Sequence, residues 1–159
     1  MAGGEKPARL DDMDRKILRI LQKDADLSVA DLAARVGLSH TPCWRRIKQM
    51  EADGVILRRT LVLDQSKLGF AVNVFAHVKL RQHDEQTLEA LERAAAALPQ
   101  ILECFSMAGD SDYMMRIVSP SIEDYEHFVK KTLLHLPGVA AINSHFALKP
   151  IKMTTELPI

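Results

Sequence analysis

The stretch Asp31–Met50, DLAARVGLSHTPCWRRIKQM, sets the tightest limit on what this chain can fold into. Leu32, Ala33 and Val36 fall at helical spacing up to Gly37, and a new helical run opens at Ser39. Gly37 supplies the backbone freedom a tight turn needs. Ser28 is placed to cap the first run, with Asp31 three residues on as a capping-box variant. Ser39 is placed to cap the second. Pro42 falls in its first turn, where a missing N–H removes no intrahelical bond. Trp44, Ile47 and Met50 are assigned to its core face, and Gly54 ends it. Two helices joined this tightly, the second bearing Arg45, Arg46 and Lys48, have the layout of a helix-turn-helix, whose second helix lies in the DNA major groove.

Charge distribution matters more than net charge, which is zero over 159 residues. Met1–Asp64 carries 12 Lys and Arg against 10 Asp and Glu, and Gln65–Ile159 carries 9 against 11. Between Leu38 and Thr60 there are five basic residues and two acidic ones. A local patch of that kind suffices for phosphate contacts, but the weak total predicts modest affinity per subunit and hence oligomers. The composition, 47% apolar and 26% charged, is globular. No apolar run approaches the roughly 20 residues of a membrane span. The start MAGGEKPARLDD has no apolar signal region, and two cysteines make no disulfide framework, so a cytosolic location and no membrane partner are expected.

Ahead of the opening segment, a helix is expected from Leu10 to about Ala25, capped by Asp11 or Asp12, with Met13, Ile17, Leu18 and Leu21 on one apolar face. After it, Val55–Leu63 (VILRRTLVL) reads as a strand leading out of the domain, packed as a wing, and Asp64–Lys67 as a polar break. Arg58 and Arg59 alternate sides of that strand, so at most one tracks phosphate easily. The remainder alternates strand 70–80, helix 84–98, strand 101–107, turn 109–112, strand 113–118, helix 121–136 and strand 139–148. This βαββαβ order is the ferredoxin-like arrangement, so the fold class expected is α+β: a winged-type helix-turn-helix over residues 1–63 and a ferredoxin-like domain over 64–159. Both helices on one face leave the other bare. Val72, Val74, Ala76 and Val78 lie on one side of the first strand, and Asn73, Phe75 and His77 on the other, which a second copy would most simply cover.

The segments LDDMDRKILRILQKDA, LAARVGLSHTPCWRRIKQMEADGVI, AGDSDYMMRI, LPGV and KMTTELPI occur in an order that resembles the Lrp/AsnC family, the leucine-responsive or feast/famine regulators. The resemblance runs from Leu10 to Ile159. It implies transcriptional regulation by an N-terminal helix-turn-helix and a C-terminal ligand-sensing domain. It also implies homodimers joined through the sensing domain's sheet, assembled into octamers or similar discs. A small effector, usually an amino acid, is implied to bind between dimers and retune DNA binding.

The residues expected at double-stranded DNA are Ser39, His40, Thr41, Pro42, Trp44, Arg45, Arg46 and Lys48. Arg donates bidentately to guanine and Thr touches a base or a thymine methyl, so Thr41 and Arg45 are assigned to bases or adjacent phosphates. Arg46 and Lys48 are assigned to the phosphate backbone. His40 either bonds a phosphate or merely starts the helix. Trp44 shares a face with Ile47 and is read as core before DNA contact. By resemblance the effector residues are Gly109, Asp110, Asp112 and Tyr113, a turn whose carboxylate accepts an ammonium group while backbone N–H groups meet a carboxylate. The same Gly-Asp-Ser-Asp is also ordinary hairpin chemistry. Ala108 departs from the Thr or Ser of many relatives and removes a hydroxyl. Thr154 and Thr155 either close the effector pocket from a neighbouring subunit or lie on a plain surface strand. Asp110 and Asp112 have no nucleophile or metal cluster near them in sequence, so no enzyme is expected. The six scattered histidines support no zinc site, and no cofactor is implied. Cys43 is read as a small helix residue in preference to a redox thiol. The rival reading is an architectural protein that wraps DNA without an effector.

Overall fold

The computed structural model describes residues 8–159, which divide into two compact units. One holds the described residues up to Val62 together with Lys152–Ile159, and the other Leu63–Ile151. The tail from Lys152 thus falls with the first unit, where the sequence boundary had put it with the second.

The first unit carries α1 (Asp12–Leu21), α2 (Val29–Val36) and α3 (His40–Ala52). Asp11 caps α1 in a reciprocal box: its carboxylate accepts from the Asp14 N–H at 2.8 Å, and the Asp14 carboxylate accepts from the Asp11 N–H at 3.1 Å. The helix ends at Leu21, short of the expected Ala25, where the Asp24 side chain competes for backbone by accepting the Asp26 N–H. Ser28 caps α2 by accepting from the Asp31 N–H at 3.1 Å, a bond whose loss costs about 1 kcal/mol. Gly37 follows α2 in the left-handed region at φ 80°, and its N–H returns to the Ala33 carbonyl. Ser39 occupies the cap position of α3, but its side chain makes no capping bond. Ile17, Leu18, Leu32, Ala33, Val36, Cys43, Ile47 and Met50 form the core.

Two further expectations fail in this unit. Trp44 is 45% exposed. The inward face of α3 is Cys43, Ile47 and Met50, at i, i+4 and i+7, so Cys43 takes the place assigned to Trp44. Val55 and Ile56 pack on the core, but the following residues form no strand ladder, and Leu57, Leu61 and Val62 are 79% exposed or more. That stretch finds no pairing partner within its own chain, so no wing strand forms among the described residues.

The second unit follows the expected order: β1 (Val72–Leu80), α4 (Glu85–Ala96), β2 (Ile101–Ser106), β3 (Tyr113–Ser119), α5 (Ile122–Lys131) and β4 (Val139–Phe146). A 3-10 turn at Leu133–His135 takes the end of the longer helix expected there. The strands form one antiparallel sheet in the order β2-β3-β1-β4. Val74, Ala76, Val78, Met115 and Ile117 point at the helices, where Leu91 and Ala95 of α4, Tyr125 of α5 and Leu133 of the 3-10 turn meet them. Close packing also fixes the β4 approach: a Cβ on Gly138 (φ 72°) would lie 2.3 Å from Thr87 Cγ2. Cross-strand partners share a face, so Phe75, His77, Lys79, Met114, Arg116, Phe105, Asn143 and His145 share the other face, which carries no helix.

Candidate DNA-binding helix and effector turn

Burying Cys43, Ile47 and Met50 turns the opposite side of α3 to solvent. His40, Thr41, Pro42, Trp44, Arg45, Lys48 and Gln49 are exposed there. Pro42, Arg45, Arg46 and Gln49, spaced at helical intervals, line an open groove of about 380 Å³. The charged residues differ in what holds them. Arg45 has no hydrogen-bond or ion-pair partner among the described residues. Arg46 is clamped: one guanidinium nitrogen lies 2.7 Å from Asp11 and 2.7 Å from Asp14. The clamp pushes the Arg46 pKa up, through Asp14 first, and that of Asp11 down, where the Asp14 N–H leads and Arg46 follows. Lys48 pairs with Glu51 one turn on at 2.6 Å, and Gln49 donates to Asp53 at 2.8 Å. Gln49 is the residue of this face that reading by charge missed. Helical spacing from Pro42 and Arg45 was the signal for it. Burial raises the Cys43 thiol pKa, which keeps it protonated and inert.

The turn after β2 is built by its own hydrogen bonds. The Met107 N–H donates to the Asp112 carbonyl and the Asp112 N–H to the Val78 carbonyl, both at 2.9 Å. The Asp112 carboxylate accepts from the Leu80 N–H at 2.7 Å and meets His83 Nε2 at 2.7 Å. These contacts, the Leu80 N–H first, hold its pKa below the usual carboxylate range. Asp112 is therefore occupied in tying the turn to β1. Tyr113 is buried on the helix side and its hydroxyl donates to Glu92 at 2.8 Å; burial, then that bond, pushes its pKa up to about 12.

Asp110 has a different setting. It is exposed and lines an open groove of about 300 Å³ with Ser111, His77, Lys79, Asn143 and His145. Ser111 Oγ is 3.2 Å from His77 Nδ1, and the His77 and His145 rings meet edge to face at 5.1 Å. Gly109 holds the turn at φ 141°, a conformation glycine adopts readily. Of the four turn residues, then, Asp110 lines the groove and Gly109 shapes the turn beside it, while Asp112 and Tyr113 are committed to the scaffold. Thr154 and Thr155 lie in the first unit, both exposed, with the Thr154 hydroxyl accepting from the Glu156 N–H. Among the described residues no cluster of three or more His, Cys, Asp or Glu could hold a metal ion, and no helix is long and apolar enough to cross a membrane.

A helix-turn-helix with an exposed basic second helix, joined to an antiparallel α+β unit, is the build of an effector-responsive transcription regulator. Residues 10–56 match a winged helix-turn-helix DNA-binding domain and residues 73–157 the Lrp/AsnC ligand binding domain. The chain is 41% identical over 152 residues to the Bkd operon transcriptional regulator of Pseudomonas aeruginosa, covering 96% of this chain and 99% of that one. Among solved structures it resembles an AsnC family transcriptional regulator from Agrobacterium tumefaciens (TM-score 0.89, 46% identity, 94% and 97% of the two chains). It also resembles a Neisseria meningitidis transcriptional regulator in complex with L-Met (TM-score 0.90, 35% identity, 94% and 97%). The chain belongs to the Lrp/AsnC family of DNA-binding transcriptional regulators, whose DNA binding is tuned by a small effector.

Proposed function

We propose that the chain reads DNA through the exposed side of α3, with Arg45 as the principal base contact and Thr41 beside it. It then changes that reading when an amino acid occupies the Gly109–Ser111 groove. The observation that carries this is the contrast between neighbours: Arg45 is unpartnered among the described residues while Arg46 is clamped by two carboxylates. A guanidinium without a partner is free to donate bidentately to guanine O6 and N7. Ser39, His40 and Pro42 bring the start of α3 to the groove floor, and Trp44 and Lys48 flank the duplex. Arg46, first assigned to phosphate, serves as a strut between α3 and α1.

An amino-acid effector needs an anion for its ammonium and donors for its carboxylate. Asp110 supplies the first, and Lys79 with the turn's N–H groups the second. The Neisseria relative's complex with L-Met supports the chemical class. The helix-free sheet face, with Phe75, Phe105 and Met114 on it, supports homodimers assembled to octamers or similar discs, with recognition helices presented to half-sites about 34–36 Å apart or multiples of that. Thr154 and Thr155 are kept as effector contacts supplied by a neighbouring subunit. Effector binding favours one arrangement of dimers and shifts DNA affinity by the same coupling, on the order of 1–3 kcal/mol.

The test is DNA affinity, on a duplex recovered by in vitro selection, with each of the twenty amino acids present in turn. At least one should change affinity about 5–150-fold, and Asp110→Ala should abolish that change while leaving basal affinity intact. A response that survives Asp110→Ala removes the groove from the proposal.

A further inference from the structure

The last eight residues fall in the first unit, so the chain passes between the units twice, after Val62 and after Ile151. The second passage ends in a built contact on α1. Gln22, the C-cap of that helix, accepts from the Leu157 N–H at 2.6 Å and donates to the Leu157 carbonyl at 3.2 Å. A side-chain amide that pairs both ways with one residue's main chain imitates a strand partner. One turn earlier, Arg19 Nε donates to the Ile159 main-chain oxygen. The Ile159 side chain packs on the helix-turn-helix core, while Leu157 stays 68% exposed. Recognition thus falls on the tail's backbone and one apolar anchor. The tail is also shaped for it. The Thr154 hydroxyl accepts the Glu156 N–H at 3.1 Å, and the Ile159 N–H returns to the Leu157 carbonyl at 2.9 Å, a three-residue turn about Pro158, whose ring fixes φ near the value that turn needs. Local order of this kind lowers the entropy lost on docking.

We propose that residues 152–159 are a clip that fastens the DNA-binding unit a second time to the effector-binding unit, and that this fastening sets how far apart an oligomer holds its recognition helices. The first connection, the residues after Ile56, makes no ladder and leaves Leu57 and Leu61 in solvent. A unit held by such a segment alone samples many positions, whereas a second attachment narrows them and raises the effective concentration of one half-site reader beside the other. The clip reaches α3 through α1, which holds the tail at its C-terminal end and Arg46 at its N-terminal end.

The inference rests on the DNA-reading proposal only for its functional consequence. It is tested in the full chain with Gln22→Ala and, leaving α1 untouched, Ile159→Ser. Amide exchange should show Leu157 protected in the parent and exchanging at least tenfold faster in Gln22→Ala. On DNA, affinity for one selected half-site should stay within twofold. Preference for two half-sites at the selected spacing, over the same pair moved by five base pairs to opposite faces of the duplex, should fall at least fivefold in both variants. An unprotected Leu157 in the parent, or an unchanged spacing preference with half-site binding intact, overturns the clip. Failure of the parent to bind any selected half-site refutes the DNA-reading proposal instead, and leaves the exchange result to decide the clip.

Discussion

Arg45 and Arg46 are neighbours in sequence with opposite expected fates, and replacing each by Ala separates them. Asp14, whose side chain is only 14% exposed, receives Arg46 at 2.7 Å. With the arginine about a third exposed, that pair is worth on the order of 0.5–1 kcal/mol after solvent screening. Arg46→Ala should therefore lower the melting of the helix-turn-helix unit by roughly 2–8 °C. It should leave base preference unchanged. Its effect on salt dependence is the sharper readout. A phosphate contact contributes about 0.9 to the slope of log affinity against log salt, so a strut that never reaches phosphate should leave that slope unaltered. Arg45→Ala should do the reverse: unaltered melting, and a loss of about 1–3 kcal/mol of discrimination at one base position. Anisotropy titrations on a selected duplex at four or five salt concentrations, with thermal melts of both variants, measure all of this. A slope that drops by about one in Arg46→Ala, with melting unaffected, would refute the strut and return Arg46 to the phosphates.

Three further outcomes follow from the second unit. Leu91→Ala, at a side chain with no exposed surface between α4 and the sheet, should cost about 2–5 kcal/mol in urea unfolding, and a cost under 1 kcal/mol would contradict the packing. Gly138→Ala must place its Cβ 2.3 Å from Thr87 Cγ2 at a left-handed φ, whereas Gly37→Ala meets open space and bears the backbone strain alone. The first should destabilise measurably more than the second. Asp112 has a depressed folded-state pKa, so its contribution is present above the ordinary carboxylate pKa and is lost as pH falls through the lower folded value. The urea midpoint of Asp112→Asn should accordingly lie below that of the parent at pH 7 and converge with it as pH falls below the depressed folded-state value. A gap that persists in acid would show that the charge is not what matters.

Periodicity carried most of the architecture. The βαββαβ order, the bare sheet face with Phe75 and His77, and the caps at Asp11 and Ser28 were all legible, because each rests on local spacing or capping chemistry. Spacing was less decisive on α3, where Trp44-Ile47-Met50 and Cys43-Ile47-Met50 both satisfy a helical stripe. The shared face with Ile47 pointed to the tryptophan, yet it is Cys43 that is buried and Trp44 that is 45% exposed. The residues after Ile56 have strand propensity, but propensity does not supply a partner. The turn exposed a second limit. Asp110 and Asp112 are chemically identical in sequence, and only the position of the Leu80 N–H and His83 shows which carboxylate is already taken. The tail's docking was invisible for a related reason. Gln22 and Arg19 look like solvated helix residues until main-chain groups more than a hundred positions away are brought to them.

The carboxylates of Asp11 and Asp14 each close the start of α1 through one oxygen and receive Arg46 of α3 through the other. Two tasks that small domains usually assign to separate residues are thus merged. Opening α3 gives up a contact to the very residues that close α1, which ties the exposure of the one helix to that of the other. With a core of eight buried residues among those described, such sharing stands in for bulk. A reading surface can remain rigid here without the extra mass that would hold it rigid in a larger domain.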